Sequence, residues 1–168
     1  MRRGSLALDQ LTVRMQPLGE DRGSATIVVT ATVGNGAAAV GRSLLEGTGT
    51  LLEVRITEHI TGHLVRVACV PTAAALTHRQ RVTAQPTGDT APANLRLELN
   101  ISQPRLWSPA SPSLYHADLR LLSTVTTPNS STALASTHAR FGLREVTIDG
   151  QYFLLNGNRH FMVSRTRG

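Results

Sequence analysis

The stretch Pro104-Arg-Leu-Trp-Ser-Pro-Ala-Ser-Pro-Ser-Leu-Tyr115 holds three prolines, the only tryptophan of the chain and one of its two tyrosines. Each proline fixes φ at about −65° and lacks an N–H, so this segment can be neither a helix nor a central strand. We therefore predict an ordered crossing loop. Tryptophan and tyrosine bury the largest areas per residue, so Trp107 and Tyr115 are expected to pin the loop to a core.

Two strands with a two-residue period flank this loop. In residues 95–101 and 115–121, every second side chain is apolar or aromatic and most of those between are polar. Such a period gives each strand one buried and one solvated face. The same pattern, in places weaker, predicts strands in residues 11–15, 25–33, 37–45, 50–57, 63–69, 79–85 and 133–141.

Turn signals separate these runs. Gly34-Asn35-Gly36 predicts a hairpin, Asp149-Gly150 and Asn156-Gly157 predict two more turns, and residues 71–76 are expected to form a loop or a single helical turn. No apolar window at helical spacing exceeds about two turns. The sequence thus predicts an all-β fold, an immunoglobulin-like antiparallel two-sheet β-sandwich.

Composition narrows the class of protein. The 168 residues are 40% apolar and 17% charged, which fits a globular domain with a real core and leaves no run long enough to cross a membrane. All 17 basic residues are arginine, which excludes phosphate-binding or Schiff-base lysines. The net charge of +6 is spread along the chain, so we expect neither a nucleic-acid nor a membrane partner.

Three motifs resemble those of one enzyme family. Residues 106–115 resemble the LWSPxxPxLY sequence that closes the immunoglobulin-like domain of family 2 glycoside hydrolases, the β-galactosidase, β-glucuronidase and β-mannosidase group. Residues 141–148 resemble the FGFRxxxI that follows that domain. Residues 153–157 resemble the FxLNG hairpin at the threshold of the catalytic barrel.

The resemblance implies a non-catalytic role. Family 2 hydrolases cleave O-glycosidic bonds with retention, using two glutamates on a (β/α)₈ barrel. A barrel of about 250 residues does not fit after Gly157, and neither glutamate motif occurs in the chain. The expected division is a tail (1–10), the sandwich (11–142) and a hairpin segment (143–168) that leads toward a barrel absent from these residues.

By this resemblance, the expected partners are the catalytic barrel and the jelly-roll domain of the parent enzyme, and the chain alone is expected to be inactive. An autonomous carbohydrate- or protein-binding sandwich is the alternative, with a glycan as its candidate partner. Asn158-Arg159-His160 echoes an Asn-Arg-His of some family members, but it follows Gly157 without the intervening strand. The sequence assigns no compartment.

Polar residues that could carry chemistry are scattered over different predicted strands. His59 and His63 have the spacing of helical zinc ligands, but Gly62 and the strand-like surroundings disrupt that geometry. The glutamates considered as a carboxylate pair are interpreted as solvated surface groups: Glu46, Glu53, Glu58 and Glu98. We therefore assign no catalytic, cofactor-binding or metal-binding residue.

Four further residues carry specific expectations. Cys69 has no second cysteine to pair with, and its strand-like setting predicts a buried, inert thiol. Trp107 is interpreted as a core plug because prolines lie on both sides, although its ring face would also suit a sugar. Arg144 and Glu145 either pair across a domain junction or are ordinary strand-edge charges.

Overall fold

The structure is a computed structural model that describes residues 7–19, 23–33, 49–75, 93–123 and 132–161. The hairpin predicted at Gly34-Asn35-Gly36, the strands predicted in residues 37–45 and 79–85, and Glu46 lie outside the described residues.

Ten strands and one short helix occur within the described residues. One sheet contains β1 (Leu8–Met15), β2 (Ser24–Val33) and β5 (Ala93–Ser102). A second contains β3 (Thr50–Glu58), β4 (Leu64–Pro71), β6 (Tyr115–Ser123) and β7 (Thr132–Phe141). A third, which we call the terminal sheet, contains β8 (Val146–Asp149), β9 (Tyr152–Leu155) and β10 (Asn158–His160). The helix α1 (Thr72–Ala75) is about one turn long, in the place where a loop or single turn was predicted.

The first two sheets form the sandwich. Their strand orders are β1-β2-β5 and β4-β3-β6-β7, and all of their strand pairs are antiparallel. The chain crosses from one sheet to the other between β2 and β3 and again around β5, as in immunoglobulin-like sandwiches. The predicted fold class is confirmed.

The core lies between the facing sides of these two sheets. Along β2, Ile27 and Val29 are 0% and 2% exposed, whereas Val28 between them is half-buried. Val54 of β3 and Leu119 of β6 close the core from the other sheet, at 0% and 1% exposure. The alternation arises because successive side chains of a strand point to opposite faces.

The first strand begins earlier than its sequence pattern indicated. β1 starts at Leu8, which is buried and pairs with Val33, whereas the pattern predicted a start at residue 11. The pairing is irregular between Asp9 and Thr12, and Gln10 there has a φ of 50°. A bulge of this kind shifts the two-residue period and therefore hides the first part of a strand from a pattern search.

Tyr115 fixes the crossing loop to the core. It stands at the start of β6, is 2% exposed, and stacks on Phe141 with ring centroids 5.6 Å apart. Its hydroxyl accepts a hydrogen bond from the Arg105 backbone N–H at 2.7 Å and lies 3.3 Å from the Arg105 carbonyl oxygen, to which it donates. This arrangement resembles the tyrosine corner of immunoglobulin-like sandwiches, although the bond reaches a residue further upstream. The prediction that Tyr115 pins the loop to a core is confirmed.

Cys69 does not have the predicted burial. Its side chain is exposed on β4, opposite Glu53 of β3. β4 lies at the edge of its sheet in the described order, so its outward residues have a strand neighbour on one side only. The alternating pattern that suggested a strand was correct, but such a pattern does not reveal whether the strand is central or at an edge.

Candidate functional site at the terminal sheet

An open apolar groove of about 250 Å³ lies where the terminal sheet meets the crossing loop. Trp107 and Pro109 come from the loop, and Arg144 comes from the connection between β7 and β8. The remaining lining residues belong to the terminal sheet: Val146, Phe153, Leu154, Leu155 and His160. The groove therefore joins the crossing loop to residues 144–160, which lie much later in the sequence.

Trp107 lies at this junction and not inside the sandwich. It is half-buried, its backbone N–H donates to the Leu143 carbonyl oxygen at 2.7 Å, and its ring lines the groove. The expectation that Trp107 plugs the core is wrong, because Leu143, which is 0% exposed, fills the core beside it. A Cβ added to Gly142 would lie 3.2 Å from the Trp107 Cβ, a close approach that the tryptophan could accommodate only by shifting a few tenths of an ångström.

Asn156 fastens the terminal sheet to the crossing loop. Its Nδ2 donates to the Trp107 carbonyl oxygen at 3.0 Å, and its Oδ1 accepts from the Glu145 backbone N–H at 3.0 Å. The Asn156 backbone N–H donates to the Glu145 carbonyl oxygen at 2.8 Å. One side chain thus links the loop, the connection and the β9–β10 turn.

The same asparagine also forms the turn. Asn156 and Gly157 have φ values of 52° and 75°, as a two-residue hairpin of type I′ requires. Gly150, at 58°, is the only residue of the β8–β9 turn with a positive φ. Both turns predicted from the sequence are confirmed. The sequence did not predict the hydrogen bonds of the Asn156 side chain, although the residue belongs to the FxLNG-like motif.

Arg144 and Glu145 contact different parts of the molecule. The Arg144 guanidinium lies over the Trp107 ring, 5.2 Å from its centroid, which is a cation–π arrangement. The Glu145 Oε1 accepts a hydrogen bond at 3.1 Å from the backbone N–H of Leu18, which follows β1. Arg144 and Glu145 thus each bind a different partner, and a domain junction at this place stays a prediction.

The terminal sheet has one apolar face. Val146 pairs with Leu155, and Ile148 pairs with Phe153, so these four side chains lie on the same side. Val146, Ile148 and Phe153 are 56%, 70% and 42% exposed. We call these four residues the apolar face. On the other side, Arg159 stacks on the Tyr152 ring at 4.1 Å.

The histidines considered as metal ligands have other contacts. His59 Nδ1 lies 2.6 Å from His116 Nε2, a hydrogen-bond distance, and the His59 backbone N–H donates to the Leu114 carbonyl oxygen. His63 contributes its carbonyl oxygen, which accepts from the Glu58 N–H. Within the described part of the chain, no three His, Cys, Asp or Glu side chains cluster as metal ligands would. The His59–His116 contact was not foreseen, since it joins positions 57 residues apart.

The described glutamates of the predicted carboxylate set lie on strands of the sandwich, and Glu53 is more buried than a solvated surface group would be. Glu58 accepts a hydrogen bond from Thr61 and lies 3.6 Å from Arg105 Nε, while Glu98 pairs with Arg96 in the other sheet. Glu53 faces Cys69, and its Oε1 is buried without a hydrogen-bond partner.

Residues 158–160, which echo an Asn-Arg-His motif, form β10 and pair with β9. Among the described residues, the one helix has four residues and is far too short to cross a membrane.

Comparison with known proteins agrees with these motifs. Residues 10–144 match the family model described as glycosyl hydrolases family 2. No curated protein matches the chain significantly in sequence. Solved structures with the same fold include the β-glucuronidase of Bifidobacterium dentium complexed with coumarin-3-O-glucuronide, which is 21% identical with a TM-score of 0.64.

Two further structures illustrate the same relation. A glycosyl hydrolase family 2 member from Bacteroides cellulosilyticus is 20% identical with a TM-score of 0.61, and the β-glucuronidase of Parabacteroides merdae is 18% identical with a TM-score of 0.60. The alignments cover 92%, 92% and 94% of this chain, but 21%, 18% and 16% of the three solved chains. The chain therefore spans about a fifth of the length of these solved proteins.

Proposed function

This chain belongs to glycosyl hydrolase family 2, and we propose that it is the β-sandwich domain that supports the catalytic domain of a larger glycosidase. The observation that carries the proposal is the extent of the family match, which begins inside β1 and ends three residues after β7. The match thus coincides with the sandwich. The solved chains with this fold are about five times longer, which leaves ample room for a catalytic barrel beyond it.

In this proposal, residues 11–142 are the supporting sandwich and residues 143–168 lead toward a (β/α)₈ barrel, with a jelly-roll domain as the other neighbour. Hydrolysis of an O-glycosidic bond with retention belongs to two glutamates of that barrel. We assign no catalytic, cofactor-binding or metal-binding residue to this chain. Its contribution is the fixed geometry of the crossing loop and the terminal sheet.

The test measures release of a chromogenic aglycone from β-galactoside, β-glucuronide and β-mannoside substrates. Residues 1–168 alone are expected to give the rate of buffer, and the longest reading frame that continues them is expected to hydrolyse at least one substrate. Hydrolysis by residues 1–168 alone would overturn the structural role. A continuing reading frame without a barrel would overturn the assignment to a larger glycosidase.

One observation favours a second candidate, an autonomous carbohydrate-binding module. Trp107 is half-buried and lines an open groove, so part of its ring is within reach of a ligand. A glycan array with the wild-type chain and Trp107→Ala tests this directly. Binding that is lost in a variant with an unchanged circular dichroism spectrum would favour the module, and an array without signal would exclude it for the sugars displayed.

A further inference from the structure

Two histidine side chains meet on the outer side of the four-stranded sandwich sheet. His116 of β6 pairs with Thr57 of β3, and His59 follows Thr57 by two residues. The His59 backbone N–H donates to the Leu114 carbonyl oxygen at 2.9 Å, which continues the pairing of the two strands. Residues two apart along a strand lie on one face, and diagonal neighbours on adjacent strands are within reach of long side chains. The register of β3 and β6 therefore brings both imidazoles to the face that points away from the core.

The ring nitrogens of this pair point at each other. His59 Nδ1 lies 2.6 Å from His116 Nε2, and the ring centroids are 4.7 Å apart with the planes tilted by 59°. At this distance one nitrogen donates a proton and the other accepts it with its lone pair. When that proton moves to the outer nitrogen of the same ring, two lone pairs converge on one point. This is the donor arrangement that a metal ion requires.

The separation of the nitrogens is close to that of two imidazoles on one ion. With metal–nitrogen bonds of about 2.0–2.1 Å, two nitrogens in tetrahedral positions stand about 3.3 Å apart, so the rings need to separate by about 0.7 Å. His59 is exposed and His116 is half-buried. Small side-chain rotations are therefore possible, and an ion can enter from solvent. Neutral imidazole suits zinc, copper and nickel.

The neighbouring charged groups leave the ion with two protein ligands. The Glu58 carboxylate accepts a hydrogen bond from Thr61 and lies 3.6 Å from Arg105 Nε. Arg140 of β7 pairs with His116 and is exposed, and its charge opposes a bound cation. Because no third ligand group joins the pair among the described residues, water fills the other coordination positions. We expect weaker binding than at a closed site with four protein ligands.

We infer that His59 and His116 form a two-histidine site for a transition-metal ion such as Zn²⁺. The ion ties the end of β3 to the start of β6. This inference is independent of the supporting role proposed above, which needs no metal ligand. The two residues are 57 positions apart and meet only in the folded chain, so a bound ion stabilises the fold.

The test is isothermal titration of Zn²⁺ into residues 1–168 without an affinity tag, in a Cys69→Ser background that removes the exposed thiol. We expect one ion per chain. His59→Gln and His116→Gln should each weaken binding at least about tenfold, because the second imidazole then no longer acts at a high effective concentration. His63→Gln, just before β4, and His138→Gln, on β7, are matched controls that should bind as the background does. Thermal unfolding without metal verifies that each variant is folded.

Paramagnetic Cu²⁺ gives a second measurement that needs no histidine variant. Substoichiometric Cu²⁺ should broaden the imidazole NMR signals of His59 and His116 before those of the other histidines. Unchanged zinc affinity in both His59→Gln and His116→Gln, or broadening that begins at another histidine, would overturn the inference. A loss of affinity in His63→Gln as large as that in His116→Gln would also overturn it, since the ion would then not be held by the pair alone.

Discussion

The sandwich and the terminal sheet are built from the same alternating pattern but differ in what covers it. In β2, Ile27 and Val29 are 0% and 2% exposed, because a second sheet lies across them. In β8, all four residues are exposed, including Val146 and Ile148. Period two assigns side chains to a face, but only a facing layer turns that face into a core. The sandwich therefore buries its apolar faces within itself, whereas the terminal sheet leaves one apolar face exposed.

Cavity formation gives the largest expected effect. Leu119→Ala in the sandwich core is expected to lower the free energy of unfolding by about 2–5 kcal/mol, because the truncated side chain is 1% exposed. Ile148→Ala, at a residue that is 70% exposed, is expected to change it by less than about 0.5 kcal/mol in the 168-residue chain. Urea denaturation measures both. Equal losses would contradict the contrast between the two regions.

Loss of the Tyr115 hydrogen bonds gives the next largest expected effect. Tyr115→Phe keeps the ring but leaves the Arg105 backbone N–H without its partner, so we expect a loss of about 1–3 kcal/mol in the free energy of unfolding. Tyr152→Phe is the matched control, because that hydroxyl bonds to an exposed Gln151 side chain. If Tyr115→Phe is as mild as its control, the loop is held by other contacts.

The same tyrosine predicts a pH dependence. Burial is the main cause that raises the pKa of Tyr115 above its ordinary value of about 10, and the nearby Glu58 carboxylate adds to it, while the Arg105 backbone N–H and side chain act in the opposite direction. Because the unfolded phenol ionises first, the stabilisation is complete below about pH 10 and is lost as pH rises through the folded pKa. Tyr115→Phe should flatten the alkaline limb of a stability–pH curve relative to wild type. Parallel curves would show that Tyr115 does not titrate with unfolding.

Release of the terminal sheet is a smaller, local effect. Asn156→Ala removes the bonds to Trp107 and Glu145, at a cost of about 1–3 kcal/mol to the attachment of the sheet. Hydrogen exchange should accelerate in β8–β10 and stay unchanged in β2 and β6. Asn158→Ala, at an exposed position in β10, is the control. Uniform acceleration across the sandwich would mean that the two regions unfold together.

The smallest expected effect concerns Cys69. This residue is exposed on β4, the edge strand of its sheet in the described order. Partial burial raises the pKa of its thiol, and the Glu53 carboxylate opposite adds to the rise. At pH 8 the exposed thiol should therefore be alkylated more slowly than a free cysteine, because less of it is thiolate. Glu53→Gln should speed the reaction modestly, and Glu98→Gln, in the other sheet, should not. An alkylation rate equal to that of free cysteine would contradict the raised pKa of the Cys69 thiol and the contribution of Glu53 to it.

The fold could be predicted from the sequence where local signals and long-range packing agree. The strict alternation in β2, β5 and β6 identified the buried faces, and Asn156-Gly157 identified its turn. Cys69 and Trp107 were misjudged for one physical reason. Burial depends on neighbours from other segments, and neither the edge position of β4 nor the course of Leu143 beneath Trp107 is encoded locally.

The candidate site was harder to predict. Its motifs were visible separately in the sequence, but the contact that ties the terminal sheet to the crossing loop joins the Asn156 side chain to the Trp107 carbonyl, 49 positions away. The sequence marked Asn156 as a turn residue, a role that its positive φ explains completely. Nothing in the local pattern indicated that the same side chain would also hydrogen-bond to the crossing loop.

The hydrogen bond from the Leu18 N–H to Glu145 determines how far apart the chain enters and leaves the sandwich. It holds Glu145, where the chain leaves the sandwich, beside Leu18 just after the C-terminal end of β1. Leu8, at the N-terminal end of β1, lies at the opposite end of the sheet and pairs with Val33. A ten-residue strand such as β2 spans about 33 Å. The points where the chain enters and leaves the sandwich therefore lie about that far apart, at opposite ends of its strands.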